Sequence, residues 1–99
     1  MNFKNMKLGE IKGNTVHVGD GCLISLKLFQ RVQIPTHLKV GDIVDMPTIG
    51  KAIVGIESEL DKDNFITVYY GRENSSCKAS ISYDKDIIPK TEVIGNIFE

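Results

Sequence analysis

The chain has 99 residues, of which 41% are hydrophobic and 25% are charged. This length suits one compact domain over residues 1–99 and is too short for two independent cores, and the composition differs from the charge-rich, aromatic-poor profile of disordered chains. The 12 basic and 13 acidic side chains give a formal net charge of -1, so no whole-molecule field draws the protein to nucleic acid or to an anionic membrane.

The beginning of the sequence and its two cysteines bear on the cellular compartment. Residues 1–5 contain no apolar stretch of the signal-peptide kind, and no segment approaches the length that spans a bilayer. We therefore expect a cytoplasmic protein, in which Cys22 and Cys77 are buried free thiols rather than a disulfide. The basic side chains include only two arginines, Arg31 and Arg72, and a preference for lysine is typical of low-GC genomes such as those of many bacteriophages.

Apolar residues recur mostly at every second position, which is the periodicity of half-buried strands. The candidate strands, in chain order, are 7–12, 15–18, 22–28, 43–46, 51–59, 65–70, 78–82 and 92–98. The clearest alternation predicts that Ile24, Leu26 and Leu28 share one face of a strand. The segment 65–70 is dense in β-branched and aromatic residues, which predicts a central strand.

Turn-forming residues separate the candidate strands. The segments 12–14, 19–21 and 61–64 contain the Gly, Asn and Asp residues that favour hairpins. The one candidate for a helix is 29–33, and it is limited to a single turn because Pro35 follows it. Seven to eight short strands with at most one helical turn predict an all-β fold, specifically a small antiparallel barrel of the SH3-like or OB-like kind.

The segment 38–44 is the most recognisable local pattern. Gly41 can turn the chain sharply, the Asp42 side chain can hydrogen-bond to the backbone of the turn, and a strand can follow. Similar turns occur in SH3-like, OB-like and co-chaperonin-type barrels. The pattern therefore supports the architecture and does not indicate a function.

The segments 35–36, 41–44 and 51–55 together resemble the core of signal-peptidase and LexA-type serine–lysine proteases. The resemblance implies a serine three residues before Pro35, with Lys51 as its base. Val32 occupies that position, so Lys51 has no hydroxyl group to activate. A related domain would be a degenerate one without a nucleophile, and it would place Lys51 in a cleft beside Val32 and Asp42.

Four residues have side chains that can bind zinc: His17, Cys22, His37 and Cys77. None of them forms the close pair that structural zinc sites use, so we expect no metal and no cofactor. Cys22 and His37 could instead form a thiolate–imidazolium pair, but Cys22 begins an alternating apolar strand, which predicts a buried and inert thiol. His17 lies between two valines and is expected on the polar face of its strand.

The segment 65–72 is the best candidate for a binding surface. Aromatic side chains on a strand can stack on nucleic-acid bases, and an arginine can contact phosphate. The candidate binding residues are Tyr69, Tyr70 and Arg72, supported by Lys27, Arg31 and Lys39. Because successive side chains point to opposite faces, at least one face of this strand must belong to the core.

The sequence alone does not identify a function, and three hypotheses stay open. We expect a non-enzymatic protein-binding module, such as an adaptor, inhibitor or assembly component encoded by a phage or other mobile element. Balanced charge and few arginines favour it, since groove and phosphate recognition favour arginine. The alternatives are a single-stranded nucleic-acid-binding module and a degenerate serine–lysine protease-like domain. Homo-oligomers also stay open, because edge strands favour them and the pattern does not locate an edge.

Overall fold

The computed structural model describes residues 7–30, 34, 36–56 and 65–99. These residues form eight strands and one 3-10 turn. The strands are β1 (Ile11–Lys12), β2 (Thr15–Gly19), β3 (Cys22–Ser25), β4 (Asp42–Met46), β5 (Gly50–Gly55), β6 (Phe65–Arg72), β7 (Ser75–Ser82) and β8 (Glu92–Asn96), and the 3-10 turn is Leu26–Phe29. The predicted all-β class is confirmed.

The strands form two antiparallel sheets. The smaller sheet has the order β1-β2-β3, and the larger has the order β7-β6-β5-β4-β8. Strand pairing among the described residues does not join the two sheets into a closed barrel. β6 lies between β5 and β7, so the predicted central strand is an interior strand of the larger sheet.

The larger sheet is buried on both of its faces. Ile53 and Tyr69 point toward the smaller sheet and pack with residues of β2 and β3. Val54 and Val68 point the other way and pack with Leu38 and with residues of the 83–91 segment. Neighbouring residues of one strand therefore belong to different cores, as the alternation of side chains requires. This explains why 52–56 is apolar throughout rather than alternating.

Several turns are confirmed. Gly13 has a positive φ between β1 and β2, and all three residues of the 19–21 turn do so between β2 and β3. At the 38–44 segment, Gly41 has φ +92 and the Asp42 carboxylate accepts a 2.8 Å hydrogen bond from the Lys39 N–H. The predicted hairpin at 61–64 lies outside the described residues.

The predicted strand 22–28 is wrong in its second half. β3 ends at Ser25, whose Oγ accepts a hydrogen bond from the Lys27 N–H and caps the 3-10 turn. The turn is anchored at its other end by Phe29, which is buried, and by the Leu28 carbonyl, which accepts a hydrogen bond from the Ile56 N–H. The alternation of apolar residues does not indicate where the strand ends, because Leu26 and Leu28 continue the strand pattern. The end is set by Ser25, a residue type that favours a cap.

The two sheets meet most closely at a pair of glycines. A Cβ atom on Gly71 would overlap the carbonyl oxygen of Gly19, so β6 passes against the β2–β3 turn with no room for a side chain. Beside this contact, the Asn74 N–H donates a hydrogen bond to the Asp20 carboxylate. These contacts hold the end of the β6–β7 hairpin on the smaller sheet.

Substitution of Gly71 by alanine should destabilise the protein by about 3 kcal/mol, because the added methyl group meets backbone that cannot rotate away. The measurement is the free energy of unfolding in urea. Gly95→Ala is the matched control, since a Cβ atom there would have its nearest neighbour, Ile43 Cδ1, at an ordinary 3.5 Å and should change stability by no more than about 0.5 kcal/mol. Equal stability of the two variants would contradict the close approach.

Candidate functional site

The predicted binding residues on β6 divide between the two faces of the sheet. Tyr69 is only 5% exposed, its hydroxyl group donates a 2.8 Å hydrogen bond to the Ile56 carbonyl, and its ring meets Phe29 edge-on. Its ring is therefore part of the core between the sheets. Tyr70 lies on the opposite face and is half-buried, and the Arg72 guanidinium carbon lies 5.4 Å from its ring centroid. Tyr70 and Arg72 thus form a stacked pair.

The predicted basic residues do not gather around this pair. Ile43, Ile53 and Tyr69 form one row across β4, β5 and β6. β4 and β6 run in the same direction, because each is antiparallel to β5. Lys39 comes before this row in the chain and Arg72 comes after it, so the two cations lie at opposite ends of the sheet. Lys27 is exposed on the 3-10 turn, which packs on the Tyr69 face. Arg31 lies outside the described residues.

The four candidate zinc ligands are also dispersed. Among the described residues, no group of three or more His, Cys, Asp or Glu side chains is placed to hold a metal ion. Cys22 is buried between the sheets and is a free thiol, as predicted. Cys77 is a free thiol as well but is only half-buried. His37 is exposed, and its Nε2 lies 3.2 Å from the Thr91 carbonyl, in the segment that covers the other face of the larger sheet.

His17 is buried, and the expectation that it lies on a polar face is wrong. Its Nε2 accepts a 3.1 Å hydrogen bond from the Gly21 N–H, so the ring proton is on Nδ1, which donates to the Lys7 carbonyl at 3.0 Å. The ring therefore joins the segment before β1 to the β2–β3 turn. Both of its nitrogens are used, which assigns His17 to the structure rather than to metal binding.

The arrangement expected of a protease-like domain is not formed by the described residues. Lys51 is exposed on β5 opposite Asp45, near the end of β4. Asp42 is at the beginning of β4, where its carboxylate accepts hydrogen bonds from the Lys39 N–H and from Asn96 Nδ2. Val32 lies outside the described residues. Lys51 and Asp42 thus occupy opposite ends of the same strand pair.

An open cleft of about 340 Å³ lies beside β8. Its polar floor is the network of Asp42 and Asn96, in which Asn96 Oδ1 also accepts a hydrogen bond from the Phe98 N–H. The side chains that complete its lining are those of His37, Lys39, Val93 and Glu99. The Asp42 carboxylate already has two donors, and the other Lys and Glu side chains of the lining are Lys39 and Glu99.

The outer strand β8 forms the rim of this cleft and is the most exposed apolar element described. Among the described strands its only paired neighbour is β4, and its side chains Val93 and Ile94 are 41% and 49% exposed. The register shifts between Gly95 and Val93, so Ile94 has no partner residue in β4. Such a β-bulge leaves the extra residue outside the ladder.

Val93 and Ile94 are not among the binding residues predicted from the sequence. They belong to a predicted strand, but exposure of an apolar strand depends on which strands lie beside it, and β8 pairs with a strand about fifty positions earlier in the chain. The one local signal is weak: Val93 and Ile94 are adjacent apolar residues, so the segment does not alternate in polarity.

Comparison of the chain with protein-family models, with curated proteins and with solved structures finds no match. No helix in the described part of the chain is long and apolar enough to cross a membrane.

Replacement of His17 by leucine should lower the free energy of unfolding by about 2 kcal/mol, because the Gly21 N–H and the Lys7 carbonyl lose their buried partner. The effect is measured by urea denaturation at neutral pH. His37→Leu is the control, since its ring is exposed and makes one hydrogen bond of 3.2 Å. We expect that variant to differ from the parent by no more than about 0.5 kcal/mol. A His17 variant as stable as the control would show that the ring does not join the two segments.

Proposed function

We propose that this protein is a non-enzymatic protein-binding module whose binding surface is the outer edge of β8. The observation that carries the proposal is the exposure of Val93 and Ile94 on a strand that has one paired neighbour in the described part of the chain. An outer strand presents backbone N–H and C=O groups along its free side, and an extended segment of another polypeptide can pair with them. Exposed aliphatic side chains add apolar area to such a contact.

The other outer strand of the larger sheet, β7, is a weaker candidate. It has eight residues, but Lys78 lies near its middle, and β3 lies alongside it. A lysine and a covering strand are the features by which natural proteins protect an edge from pairing. The segment Glu92–Asn96 contains neither lysine nor proline. This difference favours β8 over β7 as the binding edge.

The proposal extends to the type of barrel, the cellular location and the origin of the protein. The approach of β3 to β7 supports a small, nearly closed barrel of the SH3-like or OB-like kind. A cytoplasmic location is part of the proposal, and the preference for lysine over arginine supports an origin in a phage or other mobile element, where the module would act as an adaptor, inhibitor or assembly component.

Replacement of Ile94 by lysine should abolish partner binding without unfolding the protein, because Ile94 is already half exposed and a charge protects an edge. The measurement is affinity capture from the native host with the parent, Ile94→Lys and Ile11→Lys, followed by quantitative mass spectrometry. Ile11 is the matched control, since it is a 41% exposed isoleucine in the smaller sheet.

Proteins recovered by the parent and by Ile11→Lys but lost with Ile94→Lys would support the proposal. Equal recovery with Ile94→Lys would contradict it, and so would the absence of any protein that the parent recovers above a tag-only sample. A urea denaturation curve for each variant shows whether a loss of capture reflects unfolding.

Single-stranded nucleic-acid binding is the second candidate, and the stacked pair of Tyr70 and Arg72 is the observation that favours it. The two cations at opposite ends of the sheet weigh against it. We expect no binding of labelled oligonucleotides even at low salt, measured by fluorescence anisotropy at two salt concentrations. Binding that weakens steeply with salt, and that is lost on Arg72→Ala but not on Lys39→Ala, would instead support this second function at the pair.

A further inference from the structure

Three turns meet at the end of the larger sheet where β4 and β6 finish. Because β4 and β6 run in the same direction, the 47–49 turn and the 73–74 turn lie at the same end. The β2–β3 turn joins them there, since its Asp20 carboxylate accepts a hydrogen bond from the Asn74 N–H. We call these three turns, residues 19–21, 47–49 and 73–74, the turn end.

The backbone of the turn end adopts a conformation that favours glycine, at residues that are not glycine. In the described part of the chain, four non-glycine residues have a positive φ, and all of them lie in these turns: Asp20, Thr48, Glu73 and Asn74. At the opposite end of the strands, the β1–β2 turn and the start of β4 use Gly13 and Gly41 for the same conformation.

Two of the four residues have no structural explanation. Asparagine and aspartate tolerate a positive φ, but Thr48 is β-branched, and its φ of +70 is an outlier for such a residue. Glu73 has φ +53 in a two-residue hairpin loop, where asparagine and glycine are favoured. Both side chains are exposed, and neither has a hydrogen-bond or ion-pair partner in the described part of the chain.

We propose that the turn end is a second binding surface of this protein and that its partner is another protein. Strained backbone is concentrated at binding sites in proteins, and loops at one end of a rigid β scaffold commonly carry binding residues. Side chains that strain the backbone and have no polar partner in the described chain are explained if Thr48 and Glu73 contact another molecule. The inference rests on the proposed protein-binding role and adds a surface separate from the edge of β8.

The charges at the turn end favour a protein over a nucleic acid. Arg72 is exposed and stacks on Tyr70, and it is followed directly by Glu73, while Asp20 adds a second exposed carboxylate. Two carboxylates beside one guanidinium repel a phosphate backbone. Tyrosine and arginine are frequent in the residues that dominate protein–protein binding. The partner surface should therefore present an acidic side chain to Arg72 and a basic one to Glu73.

The turn end is held in place before any partner binds. β6 passes against the β2–β3 turn at Gly71, where a Cβ atom would overlap the Gly19 carbonyl oxygen, and the Asn74 N–H is bonded to Asp20. A surface that is already ordered loses less conformational entropy on binding. This arrangement favours specific contact through few residues.

The proposal predicts that two substitutions raise stability and lower affinity together. Thr48→Gly and Glu73→Asn each place a favoured residue type at a positive φ, so each should lower the equilibrium constant of unfolding about threefold, measured by urea denaturation. Proteins that the parent recovers from the native host are identified by mass spectrometry, purified and titrated into each variant by calorimetry. Both substitutions should raise the dissociation constant about tenfold.

Asn14→Gly is the matched control. Asn14 is exposed in the β1–β2 turn, at the opposite end of the strands, and its φ is not positive. Glycine should therefore bring no gain in stability there, and the dissociation constant should equal that of the parent.

An unchanged dissociation constant for both turn variants would overturn the proposal. So would the absence of a gain in stability in both variants, because the backbone would then carry no strain for binding to explain. A parent that recovers no protein above a tag-only sample would overturn it as well.

The two binding surfaces can fail separately. A protein whose affinity falls with Ile94→Lys but not with Thr48→Gly or Glu73→Asn would support the β8 edge and overturn the turn end. A protein whose affinity falls with both turn variants but not with Ile94→Lys would support the turn end and contradict the β8 edge.

Discussion

The burial of both faces of the larger sheet is the constraint on which the rest of the structure depends. Ile53 and Val54 are adjacent in β5, and both are fully buried in different cores. One chain of 99 residues supplies the cover for both faces, with the smaller sheet on one side and the segments around Leu38 and Ile88 on the other. Each fully buried aliphatic side chain contributes about 1.5–3 kcal/mol relative to an exposed one, so loss of either cover would greatly lower the free energy of unfolding.

This constraint determines which side chains remain exposed on the molecule. Since the interior strands β4, β5 and β6 have neighbours on both sides and cover on both faces, their side chains are largely used for packing. The buried polar side chains, His17, Asp42, Thr67 and Thr91, each have a hydrogen-bond partner within the chain. Exposed apolar surface is then concentrated at the ends and edges of the sheets, and β8 has the most exposed large apolar side chain described, Ile94.

Part of the structure could be predicted from sequence, because it depends on residues that are close together in the chain. Gly41 and Asp42 form the turn that their residue types indicate, and Cys22 is buried where its alternating strand places it. Long-range pairing was not predictable. The pattern of 65–70 allowed either Tyr69 or Tyr70 to face the core, and the choice depends on the smaller sheet packing against the Tyr69 face. The exposure of β8 likewise depends on its position at the outside of the described sheet, where it pairs with β4.

Solvent paramagnetic relaxation of methyl groups, with a soluble gadolinium chelate as the probe, tests the account most directly. If both faces of the sheet are covered, the methyl groups of Ile53 and Val54 should show equally weak relaxation enhancement, while those of Ile11 in the smaller sheet should show a strong one. A strong enhancement at Val54, comparable to that of Ile11, would mean that one face is open to solvent and would contradict the account.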